Sequence, residues 1–500
     1  MGLKKIFLTT FAILILYLAC KIMMMGVGIL SPWKQALLLM ILIIICSSSR
    51  KAFYFFIIPL VSIYALYTPV GLVYGEMTYQ YFASIVATDL SESSEFLKSI
   101  PLKNYLLALV IVPCVIIYYK IIKNQNIQLY RNKTVLIIFI VIAMLKQSPF
   151  QFFMDTRASI NETSQEIALF NALKDKNSWN KSKLVDSNYD TYVLVIGESA
   201  RKDYLNAYHY PIENTPFMSK ANGILVDGLT SPGNNTIASL RLMLTQPYDY
   251  QTPQYDRNFI DLANSAQIET YWLSNQGYLG KYDTPVTAIA QKSKNKFFLR
   301  TGDSLYNVTN TNDYLLLPTF KKAIKNKNKK LIVLHIYGSH PNPCDRVQEY
   351  PKMFKNIDHK YEEINCYISS IQKTDTFLKD VYNILKNEEK VSKSKFSMLY
   401  FSDHGLSTIV NNKVISLNEG IKKPSYQIPL FMINSDSSTR KECKSFKSGL
   451  NFTNGIANWI GISNPKVPSY SLFDCKDDIN QDEHKIFVEN TEDDPAIIIS

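Results

Sequence analysis

Several things are scarce in this chain of 500 residues, and each scarcity removes a class of function. Its seven cysteines form no CxxC spacing, which takes away a zinc ribbon. The formal net charge of +11 comes without any aromatic-interleaved basic motif, so nucleic acid is not expected as a partner. The lysines in Lys321-Lys322 and from Lys325 to Lys330 read as a solvated helix end or loop, with anionic lipid head groups as the functional alternative. From about residue 147 onward there is no Gly/Ser-rich or Pro-rich linker and no internal repeat, so that part reads as one large domain. Histidine is rare, with six in all and none between His404 and His484.

Long uncharged apolar runs, by contrast, are concentrated at the start. Phe7 to Gly28, Ala36 to Cys46, Ala52 to Tyr74, Tyr105 to Tyr119 and Thr134 to Leu145 read as five membrane spans. A spanning helix needs about 20 apolar residues. The first and third stretches meet that length directly, and the other three reach it by including flanking residues. Lys4, Lys5, Arg50, Lys51, Lys120, Lys123, Arg131 and Lys133 fall on one side of this pattern. Lys34, Lys98 and Lys103 fall on the other, the last two among Asp89, Glu92 and Glu95. The positive-inside bias then puts the N-terminus in the cytoplasm and the chain after the fifth span outside it, in a bacterium the periplasm. The expected organisation is a transmembrane domain over 1–147, a connecting segment over 148–188 and a catalytic domain over 189–500.

In that outer domain, strand-like runs alternate with helix-like ones. Tyr192 to Ile196, Ile268 to Leu273, Lys330 to Ile336 and Met398 to Phe401 read as strands, and Phe377 to Leu385 as an amphipathic helix. The expected fold is α/β with a mostly parallel sheet. Cys344, Cys366, Cys443 and Cys475 make an even set in an oxidising compartment. Pairing near neighbours, Cys344 with Cys366 and Cys443 with Cys475, is the simplest of the three connectivities.

Two of the strand-like runs end on acids, Gly197-Glu198 and Ser402-Asp403-His404. Ligands gather beyond the carboxyl ends of strands in open α/β sheets. Glu198, Asp403 and His404 therefore make a set suited to a divalent metal. Between them, Ser231-Pro232-Gly233-Asn234-Asn235-Thr236 starts as a turn and continues in helix-compatible residues, presenting Thr236 at a helix N-terminus that can steady an anion. A hydroxyl becomes a useful nucleophile once a base or metal lowers its pKa. Singly these signals are commonplace, since an Asn-Thr pair is most often only a helix cap. Their order makes them specific.

Gly197-Glu198-Ser199-Ala200-Arg201, Tyr208-His209-Tyr210-Pro211 leading to Asn214-Thr215-Pro216, then Thr236, His335-Ile336-Tyr337-Gly338-Ser339-His340 and Ser402-Asp403-His404-Gly405 together resemble the bacterial phosphoethanolamine transferases. These are inner-membrane enzymes of the alkaline phosphatase/sulfatase superfamily. The resemblance implies Zn²⁺ held by Glu198, Thr236, Asp403 and His404, with Thr236 as nucleophile. It also implies phosphatidylethanolamine as donor, diacylglycerol as leaving group and a lipopolysaccharide phosphate or sugar as acceptor, in a protein acting as a monomer. His340 matches a substrate- or second-metal-binding histidine, and Lys281 a basic residue that meets the donor phosphate. Two departures stand out: Leu406-Ser407 follows the Asp-His-Gly where Glu-Ser is frequent, and no further histidine comes near.

Three other readings compete with this one. A sulfatase needs a Cys or Ser with Pro two residues on, whereas here Thr236 is followed by Ala238 at that place. A phosphoglycerol transferase of the lipoteichoic-acid-synthase type shares the five spans and the threonine. A non-catalytic glycan binder would show a broken metal set, and this set is intact.

Overall fold

A computed structural model of the chain describes residues 3–29, 32–75, 96–98, 100–125, 151–278, 284–301, 312–410, 414–478 and 483–499. They fall into a helical unit ending near Glu166 and an α/β unit beginning at Ile167.

Three helices of the first unit are long and apolar enough to cross a membrane: Leu3–Met25, Arg50–Val73 and Leu102–Asn124. Trp33–Cys46 has 14 residues and falls short of that length. Pro32 sets its start, and at its end the Ser47 hydroxyl donates back to the Ile43 carbonyl, so the flanks do not extend the helix. The expected fifth stretch, Thr134 to Leu145, lies outside the described residues. Ala12, Leu16, Ile43, Val61, Ile111 and Val115 line a shared core. There Phe53 stacks on Tyr119 with ring centroids 3.7 Å apart. The helix Gln151–Leu173 follows.

The α/β unit is built on an eight-stranded sheet. In chain order its strands are β2 (Thr191–Gly197), β3 (Ile224–Thr230), β4 (Glu269–Tyr278), β5 (Asn295–Thr301), β6 (Lys330–His335), β7 (Phe396–Ser402), β10 (Leu430–Asn434) and β11 (Lys441–Ser448). Two short pairs lie apart from it: β1 (Lys183–Leu184) with β12 (Ile462–Ser463), and the ribbon β8 (Ser407–Val410) with β9 (Ile415–Asn418). The spatial order is β11-β3-β10-β7-β2-β6-β4-β5. Every pairing is parallel except those of β10, which runs against both β3 and β7.

The three central strands are buried on both faces, which is why they read as unbroken apolar runs. Val193, Val195, Ile332, Leu334, Met398 and Tyr400 enter one core, while Leu194, Ile196, Leu331, Val333, Leu399 and Phe401 enter the other. The long helix Glu362–Ser392 covers the first core with Tyr367, Ile368, Ile371, Leu378, Val381 and Leu385, the spacing of one helical face. The disulfides are Cys344–Cys366 and Cys443–Cys475, the expected pairing.

Candidate active site

The site forms where β2 and β7 end side by side. Their parallel register sets Gly197 opposite Ser402, so the next residues, Glu198 and Asp403, leave the sheet together. Gly197 has to be small, because a Cβ there would lie 2.7 Å from the Tyr400 ring. Ser199 then takes a left-handed conformation (φ 56°), and its backbone N–H donates to Asp403 Oδ1 at 3.0 Å. The His404 N–H donates to the same oxygen at 2.7 Å. The Ala200 N–H is taken by Ser402 Oγ.

Thr236 comes from another direction. It is the first residue of the helix Thr236–Met243, whose N-cap is Asn235, the Oδ1 of which accepts from the Ala238 N–H. Capping with a side-chain oxygen satisfies one of the open N–H groups of the first turn. Ser239 Oγ donates to the Asp403 carbonyl at 2.6 Å and ties this helix to the end of β7. The Thr236 hydroxyl, partly exposed, donates to Glu198 Oε2 at 3.1 Å and lies 3.5 Å from His404 Nε2.

Glu198, Asp403 and His404 are all buried, and one donor atom from each lies within 4.8 Å of the others. His404 Nδ1 is 2.7 Å from the Gly405 carbonyl, an arrangement that keeps the proton on Nδ1 and frees Nε2 as a ligand. That Nε2 is 3.2 Å from Glu198 Oε1 and 3.5 Å from Asp403 Oδ2. Asp403 Oδ2 is buried with no hydrogen-bond partner. One imidazole nitrogen, two carboxylates and a hydroxyl are a donor set that suits zinc. Electrostatics agree with this. Burial and the neighbouring Glu198 push the Asp403 carboxyl well above the usual carboxylate range. Burial acts on Glu198 in the same sense, but His404 and His340 outweigh it and hold that carboxyl low. Burial opposes a charged His404, yet Asp403 and Glu198 raise it to about 10. The carboxylates thus demand a positive charge between them, and a divalent cation meets that demand better than one proton.

His340 sits on a loop laid across Glu198. Ser339 N–H donates to the Glu198 carbonyl at 3.0 Å. Gly338 has φ 46°, and a Cβ there would stand 3.2 Å from the Glu198 nitrogen and carbonyl oxygen. Asp313 receives the Tyr337 and Gly338 N–H groups, and Ser370 Oγ donates to Ser339 Oγ. The His340 ring stacks on Tyr337, centroids 4.5 Å apart. His335 of the same motif has another role: it is buried against Trp272, and burial pushes it down to about 4, so it is a neutral core residue. Lys281 lies outside the described residues.

Two contributors are not evident from the sequence. Gln276 Nε2 donates to Glu198 Oε2 at 3.2 Å and to the Ile336 carbonyl. Glu419 follows the end of β9 and interacts electrostatically with His404 and Glu198; burial raises its carboxyl to about 7. Gln276 stands five residues before Lys281, whereas nothing local marked Glu419.

Residues 190–462 match the family described as sulfatase. A protein of Escherichia coli K12, phosphoethanolamine transferase OpgE, is 31% identical over 429 residues, 81% of this chain and 79% of its own. The chain belongs to the phosphoethanolamine transferases of the sulfatase family. A Haemophilus influenzae protein named as a candidate phosphoethanolamine transferase is 47% identical over 364 residues, 72% of this chain and 75% of its own. Among solved structures, this transferase-family chain resembles the integral membrane lipooligosaccharide phosphoethanolamine transferase A of Neisseria meningitidis. The TM-score is 0.62 at 16% identity, covering 92% of this chain and 96% of that one. The periplasmic domain of Escherichia coli EptC, in complex with zinc, gives 0.50 at 19% identity over 59% of this chain and 88% of that one. At such identities the two structures show a shared fold.

Proposed function

We propose that this protein moves phosphoethanolamine from phosphatidylethanolamine to a lipopolysaccharide acceptor, lipid A or a core sugar, by way of a phosphoethanolamine ester on Thr236. The observation that carries this reading is the hydrogen bond from Thr236 Oγ1 to Glu198 Oε2, 3.1 Å long, at the start of a helix and beside His404 and Asp403. Membership of the transferase family supports the donor. Apolar N-terminal helices support residence in an inner membrane, with the α/β unit in the periplasm.

Glu198, Thr236, Asp403 and His404 would hold zinc, which supplies a lowered hydroxyl pKa and neutralises charge on the transferring phosphoryl group. Glu198 Oε2 fixes the direction of the Thr236 hydroxyl and stands where its proton leaves. Thr236 Oγ1 attacks phosphorus, a new P–O bond forms, and the bond to the glycerol oxygen breaks. Diacylglycerol departs carrying a proton. The open N–H groups of the first helical turn face the anionic phosphoryl oxygens. An acceptor hydroxyl or phosphate oxygen then attacks the same phosphorus, and Thr236 is regenerated.

Intact mass spectrometry of the full chain after incubation with phosphatidylethanolamine tests this reading, with Thr236→Ala alongside. An ethanolamine-phosphate adduct on the wild type alone is the expected result. A glycerol-phosphate adduct formed from phosphatidylglycerol, with none from phosphatidylethanolamine, would transfer the assignment to a phosphoglycerol transferase.

A further inference from the structure

The ribbon β8–β9 leaves the site three residues after His404 and returns to it. Ser407 pairs with Asn418, so the chain comes back beside the point where it left. The following turn is fastened to the nucleophile's own loop, because Asn234 Nδ2 donates to the Gly420 carbonyl at 3.3 Å. Glu419 lies between these two anchors, within electrostatic reach of Glu198 and His404.

This corner holds polar atoms that the described protein leaves unused. Asn234 Oδ1 and Asn418 Oδ1 are buried with no hydrogen-bond partner, in side chains 1% and 7% exposed. Glu419 makes no hydrogen bond and no ion pair among the described residues. Unpaired buried acceptors cost stability and mark a place where something else binds. Both amide oxygens are acceptors, and the partly exposed Glu419 next to Asn418 adds a carboxylate, so the missing partner is a donor. An ammonium group carries three N–H donors and no acceptor. A carboxylate beside a site for a phosphoryl anion repels that anion, unless a positive part of the same molecule comes to meet it.

We propose that Glu419, with Asn418 Oδ1 and Asn234 Oδ1, receives the ammonium end of the group carried on Thr236 and so selects an ethanolamine over a glycerol head group. Asn234 and Thr236 stand two residues apart, on the turn before and the first position of the same helix. This assignment rests on the transferase reading above. It names a specificity residue absent from the metal set, because Glu419 is not among the clustered donor atoms of Glu198, Asp403 and His404.

The test uses the full-length, zinc-loaded protein and reads the adduct on Thr236 with phosphatidylethanolamine and with phosphatidylglycerol, for the wild type and for Glu419→Gln. The expected result is a fall of about tenfold or more in kcat/KM for the ethanolamine donor, mostly through KM, as when a site loses the partner of a substrate hydrogen-bonding group. Glycerol-donor turnover is unchanged or raised, and zinc content stays the same. Equal losses with both donors, or an unchanged preference, would overturn the assignment. Zinc lost from Glu419→Gln and activity restored by excess zinc would also overturn it, in favour of a metal-holding role. No ethanolamine adduct on the wild type itself would refute the transferase reading, an outcome distinct from any seen only in the variant.

Discussion

Gln276 and Thr236 converge on one atom. The amide donates to Glu198 Oε2 over 3.2 Å and the hydroxyl donates to the same oxygen over 3.1 Å. Glu198 is thereby oriented from two sides, by the end of β4 and by the start of the helix Thr236–Met243.

Removing the amide should loosen that carboxylate. Hydrogen bonds to charged groups contribute about 1.5–3 kcal/mol. Gln276→Leu is expected to slow adduct formation about tenfold or more while leaving the melting temperature close to that of the wild type. A variant with full activity would show that Glu198 is held well enough by the Ser199 hydroxyl, its 2.6 Å donor on the other oxygen.

Metal content should follow the donor set. Glu198→Gln and His404→Ala are expected to lose zinc, measured by elemental analysis, by more than the about 10–100-fold that follows loss of an outer partner. Chelation should inactivate the wild type, with zinc restoring it. Stoichiometric zinc in both variants would place the ion elsewhere.

Asp375 gives the stability a pH dependence away from the site. Burial raises its carboxyl to about 6, against the pull of the Met218 and Phe217 N–H groups that it accepts. The folded state therefore keeps a proton that the unfolded chain releases near pH 4. Stability from this group is fully present below about pH 4 and is lost as pH rises towards about 6. Melting temperatures across that window should show the decline, and Asp375→Asn should flatten it. Asp375→Ala should cost about 1–3 kcal/mol by orphaning the two N–H groups.

Gly338→Ala examines the loop over Glu198. A left-handed residue other than glycine costs about 1–2 kcal/mol. The added Cβ also meets the Glu198 backbone at 3.2 Å. The expected variant is folded, slightly less stable and clearly slower. Unchanged kinetics would mean that the loop can shift without disturbing Glu198.

The central strands and the turn before Thr236 were legible because their causes are local. Tyr192 to Ile196 and Met398 to Phe401 are apolar on both faces, and Ser231 to Asn235 carries the turn and cap residues that precede Thr236. The helix read as Phe377 to Leu385 actually spans Glu362–Ser392. Its earlier turns carry the same apolar face, Ile364, Tyr367, Ile368 and Ile371, but they also bury Asn365, Ser369, Ser370 and Asp375 on polar partners, which blurs that stripe in the sequence. Gln276, Asp313 and Glu419 could not be read for a similar reason: their partners are remote in sequence and meet them only in the folded sheet. Arg201 is another such case, buried and paired with Asp203 and the far Asp494.

The bond between Cys344 and Cys366 fastens the segment after His340 to the helix that also carries Ser370. Such a bond is made only where thiols are oxidised. Export would then be a maturation step as well as a delivery step. A molecule still in a reducing compartment would carry Glu198, Asp403 and His404 with the segment after His340 unfastened from that helix, and would be completed only where its thiols can be oxidised.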